Sequence, residues 1–157
     1  MSALHALVHA QHVPRLPERV FAFFADATNL ESITPPALGF RILTPPPIVM
    51  ASGTLIDYRL RLFGVPFRWR TRIEVFDPGV RFVDVQLSGP YQLWKHSHFF
   101  LPLGCGTLVV DAVVYRLPLG LLGAAGHALL VRRTLRHIFD YRRRRIAVLF
   151  GGEPLHG

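Results

Sequence analysis

The sequence predicts an α+β fold in which a curved antiparallel sheet of about seven strands wraps a long C-terminal helix, in the order strand, two short helices, six strands, helix. Three observations carry this. Residues 54–75 alternate apolar and polar side chains, residues 77–106 are punctuated by turn signals at hairpin spacing, and after Leu119 the apolar period becomes helical. A sheet with one apolar face must bury it, and the last helix is the only element large enough to cover it. Bending the sheet around that helix leaves a space between them.

Ala3 to Val13 reads as the first strand, broken by Pro14 to Pro17. A helix follows with Val20, Phe21, Phe23 and Phe24, and Pro17 suits its first turn. Asp26 or Thr28 can cap a second short helix around Asn29 to Ile33, which Pro35-Pro36 ends. Leu38 to Leu43 is the next expected strand, running into the rigid Pro45 to Pro47. Gly53 then opens a strand with Ile56, Tyr58, Leu60 and Leu62 on one face and Asp57, Arg59 and Arg61 on the other. After a turn at Gly64-Val65-Pro66, Phe67, Trp69, Thr71, Ile73 and Val75 alternate with Arg68, Arg70, Arg72 and Glu74. Asp77-Pro78-Gly79 is a turn, because proline presets the first central residue and glycine accepts positive φ. Strands are then expected over Arg81 to Leu87, Tyr91 to Leu101 and Thr107 to Leu117, with turns at Gly89-Pro90 and Gly104-Cys105-Gly106. From Leu119 to the Gly151-Gly152 stop, Ala128, Val131, Leu135, Ile138 or Phe139, Arg142, Ile146 and Leu149 share a helical face.

Composition bounds the function. The chain has 157 residues, half of them hydrophobic, which suits one domain over residues 1–151 with a short tail at 152–157. Its single cysteine, Cys105, excludes an internal disulfide and fits a reducing, cytoplasmic setting. Met1 to Val13 lacks the basic and apolar runs of an export signal. Leu117 to Val131 is broken by Pro118, glycines and His127 and is shorter than the roughly 20 residues a membrane span needs. The net charge of +8 is almost all arginine. Arg132, Arg133, Arg136 and the run Arg142 to Arg145 crowd one helix, a patch able to meet nucleic acid or anionic lipid but expected to be a solvated face.

The informative residues lie inside the predicted sheet. Alternation puts Phe82, Asp84 and Gln86 on the inner face of one strand, Trp94, His96, His98 and Phe100 on the next, and Thr107, Val109, Asp111, Val113 and Tyr115 on the last. With Tyr58, Phe67 and Trp69 these form an aromatic wall carrying a polar cluster, and buried polar groups cost a few kcal/mol each unless partnered. They either satisfy one another or orient a ligand's polar end. His96 or His98, paired with Asp84 or Asp111, are also the candidate catalytic residues, since a carboxylate can tune a buried imidazole for acid/base work. His96-x-His98 with Asp84 or Asp111 holds metal-ligand types, but two histidines without a second motif at fixed spacing say little. The expectation is no metal and no cofactor. His5, His9, His12, His127 and His137 are assigned no role.

The order of elements and several phrases resemble the SRPBCC superfamily, the START/Bet v 1-type helix-grip domains, and within it the ligand-binding proteins grouped with polyketide cyclases/dehydrases. The phrases are Leu16-Pro17 to Phe24 ahead of Asn29-Leu30, Ile33-Thr34-Pro35-Pro36, Gly53 to Tyr58, Gly89-Pro90-Tyr91 to His98, and Tyr115-Arg116-Leu117-Pro118. The resemblance covers roughly Val8 to Leu149. It implies a helix-grip fold whose cavity accepts hydrophobic or amphipathic ligands, and it supplies no universal catalytic motif. The expected function is therefore binding of a small lipid- or polyketide-like molecule against Tyr58, Phe67, Trp69, Phe82, Asp84, Gln86, Trp94, His96, His98, Asp111 and Tyr115. The alternatives are a cyclase or dehydratase using a His/Asp pair, and a peripheral module acting through the arginine-rich helix.

Overall fold

The structure, a computed structural model, describes residues 2–118 and 124–151. Strand β1 spans Leu4–Val13 and helix α1 spans Pro17–Phe24, with Pro17 in its first turn. The second short helix is a 3-10 helix, Ala27–Ile33. Asp26 caps it by accepting from the Thr28 backbone N–H at 3.0 Å and from its hydroxyl at 2.6 Å. Strands β2 (Arg41–Ile42), β3 (Leu55–Leu62), β4 (Val65–Asp77), β5 (Arg81–Ser88), β6 (Leu93–Leu103) and β7 (Gly106–Arg116) follow, and helix α2 covers Ala124–Phe150. The sheet runs β1-β7-β6-β5-β4-β3-β2 with every neighbouring pair antiparallel. This is the expected α+β architecture.

Several boundaries differ for local reasons. The strand expected over Leu38 to Leu43 shrinks to Arg41–Ile42, because Pro36–Leu38 forms another 3-10 turn closed by Gly39 at φ 55°. The β3–β4 turn is Phe63-Gly64, both at positive φ, and Val65-Pro66 already pairs with β3. β6 begins at Leu93 rather than Tyr91, since the Gln86 side chain brackets Tyr91, donating to its carbonyl at 2.7 Å and accepting from its N–H at 3.2 Å. The start of the last helix expected at 119–123, and its Gly152 stop, lie outside the described residues.

Helix α2 closes the inner face. Val131, Leu135 and Phe139 pack with Val113, Tyr115 and Leu117, while Ile146 and Phe150 join Val13, Val20, Phe21, Phe82 and Phe100. Leu149, expected on this face, is exposed, and Phe150 takes the buried place. Register shifts between Arg70 and Thr71 and between Ile73 and Val75 break the β4–β5 ladder, the kind of irregularity that bends a sheet. α1 and the 3-10 helix fill the end of the groove beside α2. Between these elements lies a cavity of about 160 Å³.

Candidate functional site

The cavity is mostly apolar. Leu60, Trp69 and Trp94 form one wall, Phe82 and Ile73 another, and Phe139 the helix side. Trp69 stands edge-on to Trp94, with ring centroids 5.3 Å apart, and stacks on Tyr58 at 5.7 Å. The Tyr58 hydroxyl shares a 3.2 Å hydrogen bond with Thr71. Burial, with Asp84 nearby, pushes the phenol far above its usual range, so it stays protonated.

Polar groups gather where β5, β6 and β7 meet. The register sets Asp84 opposite His96 and His98 opposite Asp111, but the short contacts run diagonally. His98 Nε2 is 2.8 Å from Asp84 Oδ2, and His96 Nε2 is 2.8 Å from Asp111 Oδ1. The remaining nitrogens point at the other carboxylates: His96 Nδ1 is 4.0 Å from Asp84 Oδ2, and His98 Nδ1 is 3.1 Å from Asp111 Oδ1. That last contact is close but misaligned, so His98 Nδ1 makes no hydrogen bond. The two imidazoles lie 3.7 Å apart, and His98 stacks on Phe82 at 4.1 Å.

Burial opposes ionisation throughout this cluster, and pairing decides which groups overcome it. It is the largest influence on Asp84 and Asp111, but the histidine hydrogen bonds and the nearby positive charges together outweigh it and hold both carboxylates below their usual range. Burial also works against the His98 imidazolium, yet Asp111 and Asp84 together raise its pKa. At His96 burial and the neighbouring His98 win, and its pKa falls. The network therefore holds two carboxylates, a neutral His96 and a His98 inclined to carry a proton.

The structure brings seven of the expected residues to the cavity: Tyr58, Trp69, Phe82, Asp84, Trp94, His96 and His98. Four stand elsewhere. Phe67 packs beside Leu60 and Leu62 without reaching the cavity. Gln86 is committed to the turn at Tyr91. Asp111 stands behind the two histidines, and Tyr115 packs against His5 and the residues under α2. The cavity lining also holds polar residues not expected in the site, Asp26, Asn29, Thr34, Thr71 and, among the groups beside the histidines, Arg142, whose guanidinium lies 5.3 Å from the centre of the Phe139 ring. Its Nε is buried without a hydrogen-bond partner, as is the Trp69 indole N–H. The signal was present, an arginine in an apolar slot of the α2 period.

The rest of the arginine run is divided. Arg143 donates to His9 Nδ1 at 3.0 Å, its carbonyl accepts from Gln11, and Arg145 reaches the Ser32 carbonyl. Arg132, Arg133, Arg136 and Arg144 are exposed. Cys105 is exposed in the β6–β7 turn. No helix among the described residues is long and apolar enough to cross a membrane.

No protein-family model matches the chain, and no curated protein matches it. Solved structures do. The Zhui aromatase/cyclase from Streptomyces sp. R1128 superposes with a TM-score of 0.74 at 15% identity, covering 92% of each chain. A START superfamily protein from Mycobacterium smegmatis gives 0.69 at 16% identity, over 92% of this chain and 99% of that one. Ara h 8.0201 gives 0.64 at 14% identity, over 93% and 99%. The chain has the helix-grip fold. At these identities the likeness is one of architecture, and the function has to be argued from the site.

Proposed function

We propose that this helix-grip protein binds a small, largely apolar molecule whose polar end carries hydrogen-bond-accepting oxygen. One observation carries the reading: the aromatic cavity is lined by Trp69 and Arg142, whose indole N–H and Nε–H are buried without acceptors. Apolar walls supply affinity roughly in proportion to the area buried, while a few fixed polar groups set orientation. A neutral oxygen such as a hydroxyl or carbonyl suits this end, because Asp84 disfavours a second negative charge there. Native mass spectrometry of freshly purified protein tests the reading. A co-purified molecule, released on denaturation and displaced by an added medium-chain alcohol that quenches tryptophan fluorescence, is expected. Finding neither a passenger nor any alcohol binding would overturn it.

A second reading is catalytic. It is favoured by two imidazoles that face the cavity while each is hydrogen-bonded to a buried carboxylate, the arrangement that orients a general base. In a cyclase or dehydratase, His96, held neutral, is the better base and Asp111 its orienting partner. Unchanged turnover of an identified substrate in both His96→Ala and His98→Ala would remove this reading.

A further inference from the structure

The His/Asp network has a direction that pairwise hydrogen bonding does not require. Three of its members, Asp84, His96 and His98, line the cavity, and each offers a ligand atom within 4.8 Å of the other two. The fourth, Asp111, stands on the far side and faces both imidazoles through their other nitrogens, at 2.8 Å from His96 Nε2 and 3.1 Å from His98 Nδ1. Metal-bound histidines are held in this way, one ring nitrogen on the ion and the other donating to a carboxylate behind.

From these positions we infer that Asp84, His96 and His98 form a binding site for a divalent first-row transition ion, with Asp111 as the outer carboxylate and the remaining coordination positions open to the cavity. The inference rests on the network and stands whether or not an apolar ligand fills the space beside it. The spacing fits. Bonds of about 2.0–2.1 Å place neighbouring ligand atoms roughly 3 Å apart. The distances from Asp84 Oδ2 to His98 Nε2, 2.8 Å, and to His96 Nδ1, 4.0 Å, lie on either side of that value. Small side-chain rotations close the difference.

The orphan nitrogen supports the same assignment. His98 Nε2 is engaged by Asp84, while its Nδ1 faces the Asp111 carboxylate at 3.1 Å without an aligned hydrogen bond. An ion on Nε2 moves the remaining proton to Nδ1, where Asp111 accepts it. The two carboxylates offset the charge of a divalent cation, and the Arg142 guanidinium beside them on the cavity side leaves the loaded site with room for an anionic or oxygen ligand. Two imidazoles and one carboxylate with open positions suit zinc, cobalt or ferrous ions rather than magnesium or calcium.

Titration of the chelator-stripped full chain with cobalt(II), read by visible absorption and followed by zinc(II) competition, tests the site. One ion per chain is expected, with a dissociation constant at or below the order of 10 μM and proton release on binding. His96→Ala and His98→Ala each weaken binding at least 100-fold, and Asp111→Asn weakens it about 10- to 100-fold while keeping one ion per chain. His5→Ala and His12→Ala leave it unchanged. Should a variant fail to fold, the wild-type titration still decides. No stoichiometric ion on the wild-type chain, or binding that survives loss of both His96 and His98, overturns the inference, whereas alcohol binding without metal leaves the ligand reading standing alone.

Discussion

Asp111 ties together two imidazoles that a residue of any other charge would leave mismatched. Replacing it with asparagine removes one partner from a buried ionic network, a change that costs about 3–5 kcal/mol at neutral pH. The pH dependence has a definite sign. Its carboxyl is held below the unfolded value near 4, so its contribution is present above about pH 4 and is lost as pH falls further. Chemical denaturation of wild type and Asp111→Asn in metal-free buffer should show a gap at pH 7 that narrows below about pH 4; a constant gap would contradict the coupling. At Arg142 the expected effect is on binding. Arg142→Met should weaken a medium-chain alcohol about 10-fold, the worth of one charged hydrogen bond, as read by tryptophan fluorescence. Alternation in the sequence separated the inner His96, His98 and Asp84 from Lys95 and Ser97 correctly. It could not tell that Asp111 sits behind the histidines, because that follows from side chains crossing diagonally between strands.

Individual elements show where local sequence decided the structure and where packing did. The β3 and β4 strands were legible because each apolar residue recurs at every second position and one face stays wet. The strand at Leu38 to Leu43 was not, since its apolar residues serve a 3-10 turn and the cavity wall, and Leu38, Phe40 and Ile42 all line the cavity. Two positions beside hairpin turns carry testable constraints. Phe63 holds φ at 53°, in the left-handed region that asparagine tolerates better, and it is half exposed. Phe63→Asn should stabilise the chain by about 0.5–1 kcal/mol, measured by urea denaturation, since the ring gives up only a distant 6.4 Å contact with His127. Gly106 has the opposite constraint, because a Cβ there would run into the Val13 carbonyl oxygen and the His12 ring. Gly106→Ala should lower stability by roughly 1–3 kcal/mol and loosen the β1–β7 end pairing, seen as faster amide exchange at Thr107.

Over the whole molecule, the two faces of the sheet handle charge differently. The inner face buries its few charges in pairs. The outer face aligns Arg41, Arg59 and Arg68 directly across three adjacent strands, and all three are exposed. Like charges in direct register repel, and among the described residues Arg41 alone of the three is relieved by an ion pair, with Glu31 at 3.0 Å. Raising salt from about 0.05 to 0.5 M should therefore increase the melting temperature, an effect that Arg59→Gln should reduce. The architecture was readable from element order, because a meander of hairpins followed by an amphipathic helix has few ways to bury its apolar surface. Arg142 follows the helical period, but which of the other arginines of α2 face solvent was not readable, since Arg143 and Arg145 are placed by β1 and the 3-10 helix.

The strand order has one further consequence. From β2 to β7 each strand pairs with its neighbour in sequence, and from β3 onward these ladders close through short turns, while residues 43–54 link β2 to β3. β1 alone must wait for a partner about a hundred residues away, and such a loop closes late because its entropy is lost before the contacts form. The β2–β7 meander can assemble while β7 still shows a bare edge, the surface at which another chain is able to add. The register that completes the sheet, Leu4 on Arg116 through Val13 on Thr107, is thus also what shields that edge from intermolecular pairing.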